Sequence, residues 1–255
     1  MTTKSQRPVA LITGVSRKIG IGAAIAHKLA AQGWDIAFTY WQLYDESMEW
    51  GSNPSDLDII VSTLEKAGAR ALPIEADLSN PEMPAKVFNH TKQQMGSVKA
   101  LIINHCHSVD SGILNTSLEN FDTHFAVNTR ATWLLIREFA LRFNSKPGTG
   151  RIISITSDHA AFNMPYGASK GAADRLVLAA ASEFKHKGIT ANVINPGATD
   201  TGWMTEELKN EMVKRTLSAR AGMPVDCANL VAFLCSHEGG WINAQLLFSN
   251  GGLVM

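Results

Sequence analysis

Cysteine is scarce in this chain. There are three in 255 residues, Cys106, Cys227 and Cys235, too few for a disulfide-built scaffold, and no C-x-x-C pair suggests a zinc site. They are expected as buried or free thiols in a reducing compartment. Net charge is missing as well: 23 Lys and Arg balance 23 Asp and Glu. That excludes a nucleic-acid binder relying on bulk positive charge, and an acidic solvating tail. No apolar run approaches the roughly 18 residues of a membrane span. Residues 1–8 are polar and lead straight into a short apolar run, so no signal peptide is expected. A soluble cytoplasmic protein is the expectation, with neither nucleic acid nor membrane as partner. No composition break and no linker rich in Pro or Ser interrupts the chain, so residues 1–255 read as a single domain.

What is present fits a globular chain with a sizeable core: 45% of residues are apolar and 18% charged. Short apolar stretches at 9–12, 35–40, 71–75, 100–103, 151–156, 190–194 and 245–248 read as strands. Helical spacing runs from Ile21 to a stop at Gly33, then over 58–67, 84–95, 121–143, 167–185 and 226–235. Strand and helix thus alternate from end to end. This implies an α/β fold, a single doubly wound Rossmann domain with a mostly parallel sheet covered by helices on both faces. Residues 41–56 are the long irregular stretch, of a length that is usually functional.

The first strand runs into Thr13-Gly-Val-Ser-Arg-Lys-Ile-Gly-Ile-Gly22. A strand, a glycine-rich turn and a helix start form a phosphate cradle, because glycines admit the backbone close to a diphosphate and the helix N-terminus favours its charge. The spacing of Gly14, Gly20 and Gly22 departs from the ordinary G-x-G-x-x-G, and a tight structural turn would also use it. Its place at the first strand-to-helix turn favours dinucleotide binding. Further along, Tyr166 and Lys170 stand four apart at the start of an apolar helix and so share a face. An ammonium near a phenol favours the phenolate, and a phenol tuned that way can exchange a proton with a carbonyl or alcohol. Ser157 lies just upstream, at a strand end of the kind where open parallel sheets build sites.

Together these residues resemble the short-chain dehydrogenases/reductases, and within them the 3-oxoacyl-carrier-protein reductase-like members. The ordered set is Thr13 to Gly22, Asp77-Leu78, Asn104, Asn128, Ser157, Tyr166 with Lys170, Asn195-Pro-Gly197 with Thr201, and Asn250-Gly-Gly252. The resemblance implies an NAD(P)-dependent oxidoreductase interconverting a carbonyl and a secondary alcohol by hydride transfer. Tyr166 would be the general acid/base, Ser157 would hydrogen-bond the substrate oxygen, Lys170 would hold the nicotinamide ribose and lower the Tyr166 pKa, and Asn128 would support a water relay. Gly14, Ser16, Arg17, Lys18, Gly20, Ile21, Gly22, Trp41, Asp77, Leu78, Asn104, Tyr166, Lys170, Gly197 and Thr201 would bind the cofactor. The partner would be a small carbonyl or alcohol, and the assembly a homotetramer packed through the helices at 121–143 and 167–185, with Trp133, Leu134, Leu176 and Val177 on such a face. Residues 202–217 would form a substrate lid, with Trp203, Met204, Leu208 and Met212 as apolar contacts or as ordinary helix packing.

Several positions depart from the family pattern. The glycine turn is two residues longer than T-G-x3-G-x-G. The usual N-N-A-G becomes Ile103-Asn-His-Cys106, so the first Asn, which ties strands together, is lost. His105, Cys106 and His107 could be imagined on a metal, but neighbours on an extended segment point to opposite faces, and no metal is expected. Ser157 stands nine positions before Tyr166, where thirteen is usual. The alternative reading is therefore a catalytically impaired dinucleotide-binding protein on the same fold. Asp158 and His159 follow Ser157, but sequence neighbours do not make a Ser/His/Asp triad. Ala244 replaces a glycine near the end, a change expected to matter little. For the cofactor, Arg17 and Lys18 could meet a 2′-phosphate, and the second strand ends at Thr39-Tyr-Trp41 without the acid that would bind a 2′-hydroxyl. Both favour NADP, with NAD still open because residues 41–58 carry Asp45, Glu46, Glu49, Asp56 and Asp58 and no cation.

Overall fold

The structure, a computed structural model, describes residues 7–157 and 161–253. Seven strands form one sheet: β1 Val9–Ile12, β2 Asp35–Tyr40, β3 Ala71–Glu75, β4 Val98–Ile103, β5 Gly150–Ile155, β6 Ile189–Asn195 and β7 Leu246–Phe248. Their order is β3-β2-β1-β4-β5-β6-β7 and every pairing is parallel. The chain starts in the middle and turns back between β3 and β4, so β1 and β4 flank the switch point where ligands of such sheets bind.

Helices cover both faces. α1 (Ile21–Ala31), α3 (Ser55–Lys66) and α9 (Pro224–Cys235) lie on one side, and α4 (Met83–Met95), α6 (Ala131–Arg142) and α7 (Met164–Glu183) on the other. Because strand side chains alternate, β1 feeds both cores. Ala10 and Ile12 join α1 and α9, whereas Val9 and Leu11 join α4, α6 and α7. That two-sided burial is why the strands read as unbroken apolar runs.

Three regions differ from expectation. The long helix expected over 121–143 is α5 (Leu118–His124), a π-helical segment at Phe125–Arg130 and then α6. A π segment leaves the chain helical on both sides, so the stretch reads in sequence as one helix. The stretch at 41–56 holds a short helix, α2 (Gln42–Ser47), and α8 (Glu206–Arg215) lies within 202–217. Ala244 adopts a left-handed backbone, φ 59°. The missing glycine therefore does matter, because a Cβ is strained there.

Candidate active site

The glycine turn is built by close approach. Gly14 has φ 73°, and a Cβ there would lie 2.7 Å from the His105 Cα. A Cβ on Gly22 would lie 2.7 Å from both Asn104 Nδ2 and the Gly14 carbonyl oxygen. The contacts that exclude a side chain are the ones that hold the turn: Asn104 Nδ2 donates to the carbonyls of Thr13 and Gly14, at 3.1 and 2.8 Å. Gly20 caps α1 in extended conformation and no side chain caps the helix. The cradle thus keeps its first-turn N–H groups for an anion, which fits a dinucleotide diphosphate.

His105 makes a second tie at the strand ends. Thr13 Oγ1 lies 2.7 Å from its Nδ1, and its Nε2 lies 2.9 Å from the Val127 carbonyl. The ring joins the end of β1, the end of β4 and the π segment. Burial holds its pKa down to about 4; the Lys170 ammonium acts in the same direction and the bond to Val127 opposes it. A neutral ring donating from Nε2 and accepting at Nδ1 satisfies both neighbours.

Asn128 sits in the π segment. Its Oδ1 accepts from His107 N at 2.7 Å, and its Nδ2 donates to His107 O and Ser169 Oγ, both at 2.9 Å. One side chain thus clamps the strand extension after β4 to α7, beside Tyr166 and Lys170. His105, Cys106 and His107 diverge: His105 turns to β1, Cys106 to Tyr166, and His107 to the His124 and Tyr44 rings, at 4.6 and 5.5 Å. Among the described residues no three metal-ligating side chains converge.

Tyr166 lies at the centre. The Ser157 hydroxyl donates to its phenol, and the Cys106 side chain faces the same phenol. The shortened spacing therefore still brings Ser157 to Tyr166; Asp158 and His159 lie outside the described residues. Burial pushes the Tyr166 pKa well above its ordinary value, Cys106 and Tyr44 push it the same way, and the Ser157 bond opposes. The sequence expectation of a phenol held down by Lys170 is reversed. Lys170 is itself buried, which lowers its pKa, and its ammonium donates to the Ile155 carbonyl. Asp174, one turn along α7, raises the Lys170 pKa and accepts from Thr156 Oγ1 at 2.9 Å.

The other candidate positions make contacts of their own. Ser16 Oγ accepts from Trp41 N at 3.3 Å. Arg17 reaches across to the Thr201 carbonyl, with its guanidinium 5.0 Å from the Trp50 ring centre. Lys18 pairs with Asp56. Ile21 packs partly buried against the core. Gly197, φ 63°, abuts Asn250. The Asp77 carboxylate is turned to Ser79, at 2.8 Å from both its N and Oγ, and Leu78 is buried in the core on the α4 face.

Sequence reasoning missed Cys106 and Tyr44 as neighbours of Tyr166. Cys106 was legible only as a departure from a glycine, and Tyr44 lay in a stretch without periodicity. It also missed a groove lined by Ile113, Leu114, Phe162 and Met164, whose first three side chains are exposed. Of the expected lid contacts, Met204 and Met212 are buried, Leu208 is partly exposed and Trp203 half exposed.

Comparison with known proteins bears on this arrangement. A family model described as Enoyl-(Acyl carrier protein) reductase matches residues 14–254. An uncharacterized oxidoreductase, YjdA of Bacillus subtilis, is 35% identical over 255 residues, covering 98% of both chains. A short-chain type dehydrogenase/reductase of Picea abies is 35% identical, covering 96% of this chain and 92% of the other. The 3-oxoacyl-[acyl-carrier-protein] reductase FabG of Staphylococcus epidermidis is 28% identical, covering 96% and 98%. Among solved structures, a short chain dehydrogenase from Burkholderia cenocepacia in complex with NADP superposes with a TM-score of 0.84 at 30% identity, covering 98% of this chain and 99% of that one.

Proposed function

The chain belongs to the short-chain dehydrogenase/reductase family, and from that premise we propose that it is an NADP(H)-preferring oxidoreductase interconverting a carbonyl and a secondary alcohol. The observation that carries the reading is the convergence of Ser157 on Tyr166 despite the shortened spacing. The nicotinamide, when bound, supplies or accepts the hydride. In the reduction direction Tyr166 gives its phenolic proton to the substrate oxygen, and the Ser157 hydroxyl turns from the phenol to donate to that same oxygen. Burial keeps the Tyr166 phenol protonated, which suits a proton donor. Asn128 and His105 act on the backbone around Cys106, holding that wall of the site against α7 and β1. The cradle of Gly14, Gly20 and Gly22 would hold the diphosphate.

The NADP complex of the Burkholderia cenocepacia relative and the two cations of the glycine turn support NADP over NAD. The groove at Ile113, Leu114 and Phe162 supports an apolar or medium-sized carbonyl substrate. The reading includes a cytoplasmic homotetramer packed through α6 and α7. Trp133 is half exposed and fits such a face, whereas Val177 packs into the sheet-side core and does not.

The test is nicotinamide absorbance with NADPH and NADH against a panel of aldehydes and ketones. Turnover with NADPH is expected, falling by about a hundredfold or more in Tyr166→Phe, the scale of a lost general acid. Unchanged turnover in Tyr166→Phe would sink the assignment. Tight cofactor binding with no turnover over the panel would favour the impaired binder.

A further inference from the structure

Asp56 stands in the first turn of α3, where an acid complements the helix dipole. Its contacts go further than that role requires. Asp56 Oδ2 accepts from the backbone N–H of Lys18 at 3.0 Å, and Oδ1 lies 3.3 Å from the Lys18 ammonium. Asp56 is 6% exposed, and Oδ1 accepts no hydrogen bond from a described group. A buried carboxylate thus engages one residue of the glycine turn through both its backbone N–H and its ammonium. That pair of donors, one peptide N–H and one cation, is a phosphate-binding pair.

The neighbouring cation is engaged by the same segment. The Arg17 guanidinium lies against Trp50, and its Nη2 donates to Thr201 O. Both positive charges that the turn could offer to a 2′-phosphate are therefore met from within the chain, Lys18 by an anion and Arg17 by a ring and a carbonyl. The end of β2 supplies no acid, and Trp41 there gives its backbone N–H to Ser16. The Asp56 carboxylate, already on Lys18, is thus an anion that can compete there with a 2′-phosphate.

We propose that Asp56 is a specificity-determining residue for the cofactor: its carboxylate holds Lys18 as an internal anion, and a 2′-phosphate gains Lys18 only by displacing it. The proposal rests on the reading that the glycine turn binds a nicotinamide dinucleotide. Asp56 then moderates the preference for NADP that Arg17 and Lys18 create. Without it the Lys18 charge would be free to face the phosphate. NAD, which lacks the 2′-phosphate, should be indifferent to the pair.

The experiment is calorimetric titration of the full chain with NADP and with NAD, wild type beside Asp56→Asn. The isosteric amide keeps the volume and a hydrogen-bond acceptor while removing the charge. NADP affinity is expected to rise about fivefold with NAD affinity unchanged, and the gain to shrink at high salt. An unchanged ratio, or equal loss of both dinucleotides, overturns the proposal and leaves Asp56 as a structural residue. If Asp56→Asn does not fold, Lys18→Gln carries the test. It leaves the Asp56 carboxylate unpaired beside the phosphate, so NADP should weaken while NAD does not; equal affinities for the wild type and Lys18→Gln overturn it. If wild type, folded by circular dichroism, binds neither dinucleotide, the parent reading fails with it, and that outcome is distinct from a shift in ratio.

Discussion

At the scale of single residues, small substitutions move the largest consequences. Ala244 holds φ at 59° with an exposed side chain, and its N–H donates to Ala191 O at 2.9 Å. The Cβ pays for the left-handed backbone and packs against little in return. Ala244→Gly is expected to stabilise the fold by about 1 kcal/mol, the left-handed penalty less the entropy a glycine adds to the unfolded chain. A raised midpoint in urea at constant slope would bear this out; a lowered one would show that the Cβ contributes packing. Residue identity was legible for Asn128, Ser157, Tyr166 and Lys170 because spacing and order mark them. The role of His105 was not legible. It stands where the pattern has alanine, and only the structure shows it reaching Thr13 and Val127, 92 and 22 positions away in sequence. The pKa of Tyr166 was misread for a related reason. A Tyr four residues before a Lys shows in sequence, but the burial that raises the phenol does not.

Elements were legible where one period ran without interruption. β2 and β3 match their expected bounds, and α4 differs by one residue, because apolar runs and stop signals agree there. The segment from β2 to α3 has no period, and its fold depends on partners distant in sequence. α2 is carried across to the wall after β4 by Tyr44, whose hydroxyl accepts from Ser108 N at 3.1 Å and donates to Ser108 O at 3.4 Å. Trp50, Asp56 and Trp41 fasten the same segment to the glycine turn. The segment is thus a strap tied to both sides of the dinucleotide cleft. Tyr44→Phe removes the tie to Ser108 and keeps the ring packing. Dinucleotide association and dissociation should both quicken, by about threefold for a hydrogen bond of ordinary net strength, in stopped-flow fluorescence. Unchanged rates would mean that the segment does not gate entry.

For the whole molecule, burial sets the protonation of all three tyrosines. It raises Tyr40, Tyr44 and Tyr166 above the ordinary value of 10.0, first by desolvation in each case. A phenol whose folded pKa is raised contributes stability that is whole below the unfolded pKa and lost as pH climbs towards the folded one. Tyrosinate absorbance should therefore lag behind free tyrosine above pH 10.0 and appear together with loss of helical circular dichroism. Titration of any tyrosine at its ordinary value in the folded chain would contradict this. The alternation of strand and helix made the sheet legible, but not the order of its strands, which only tertiary contact shows. That order has a consequence during translation. When β3 has left the ribosome, β3-β2-β1 can already pair, yet β1, whose side chains will face two cores, is an open edge. Only the emergence of β4 covers it, and each later strand then adds to the edge just made. Growth of the nascent sheet thus reverses direction once, at β1, and a pause after Glu75 has emerged but before Val98 does would hold the chain at its most adhesive.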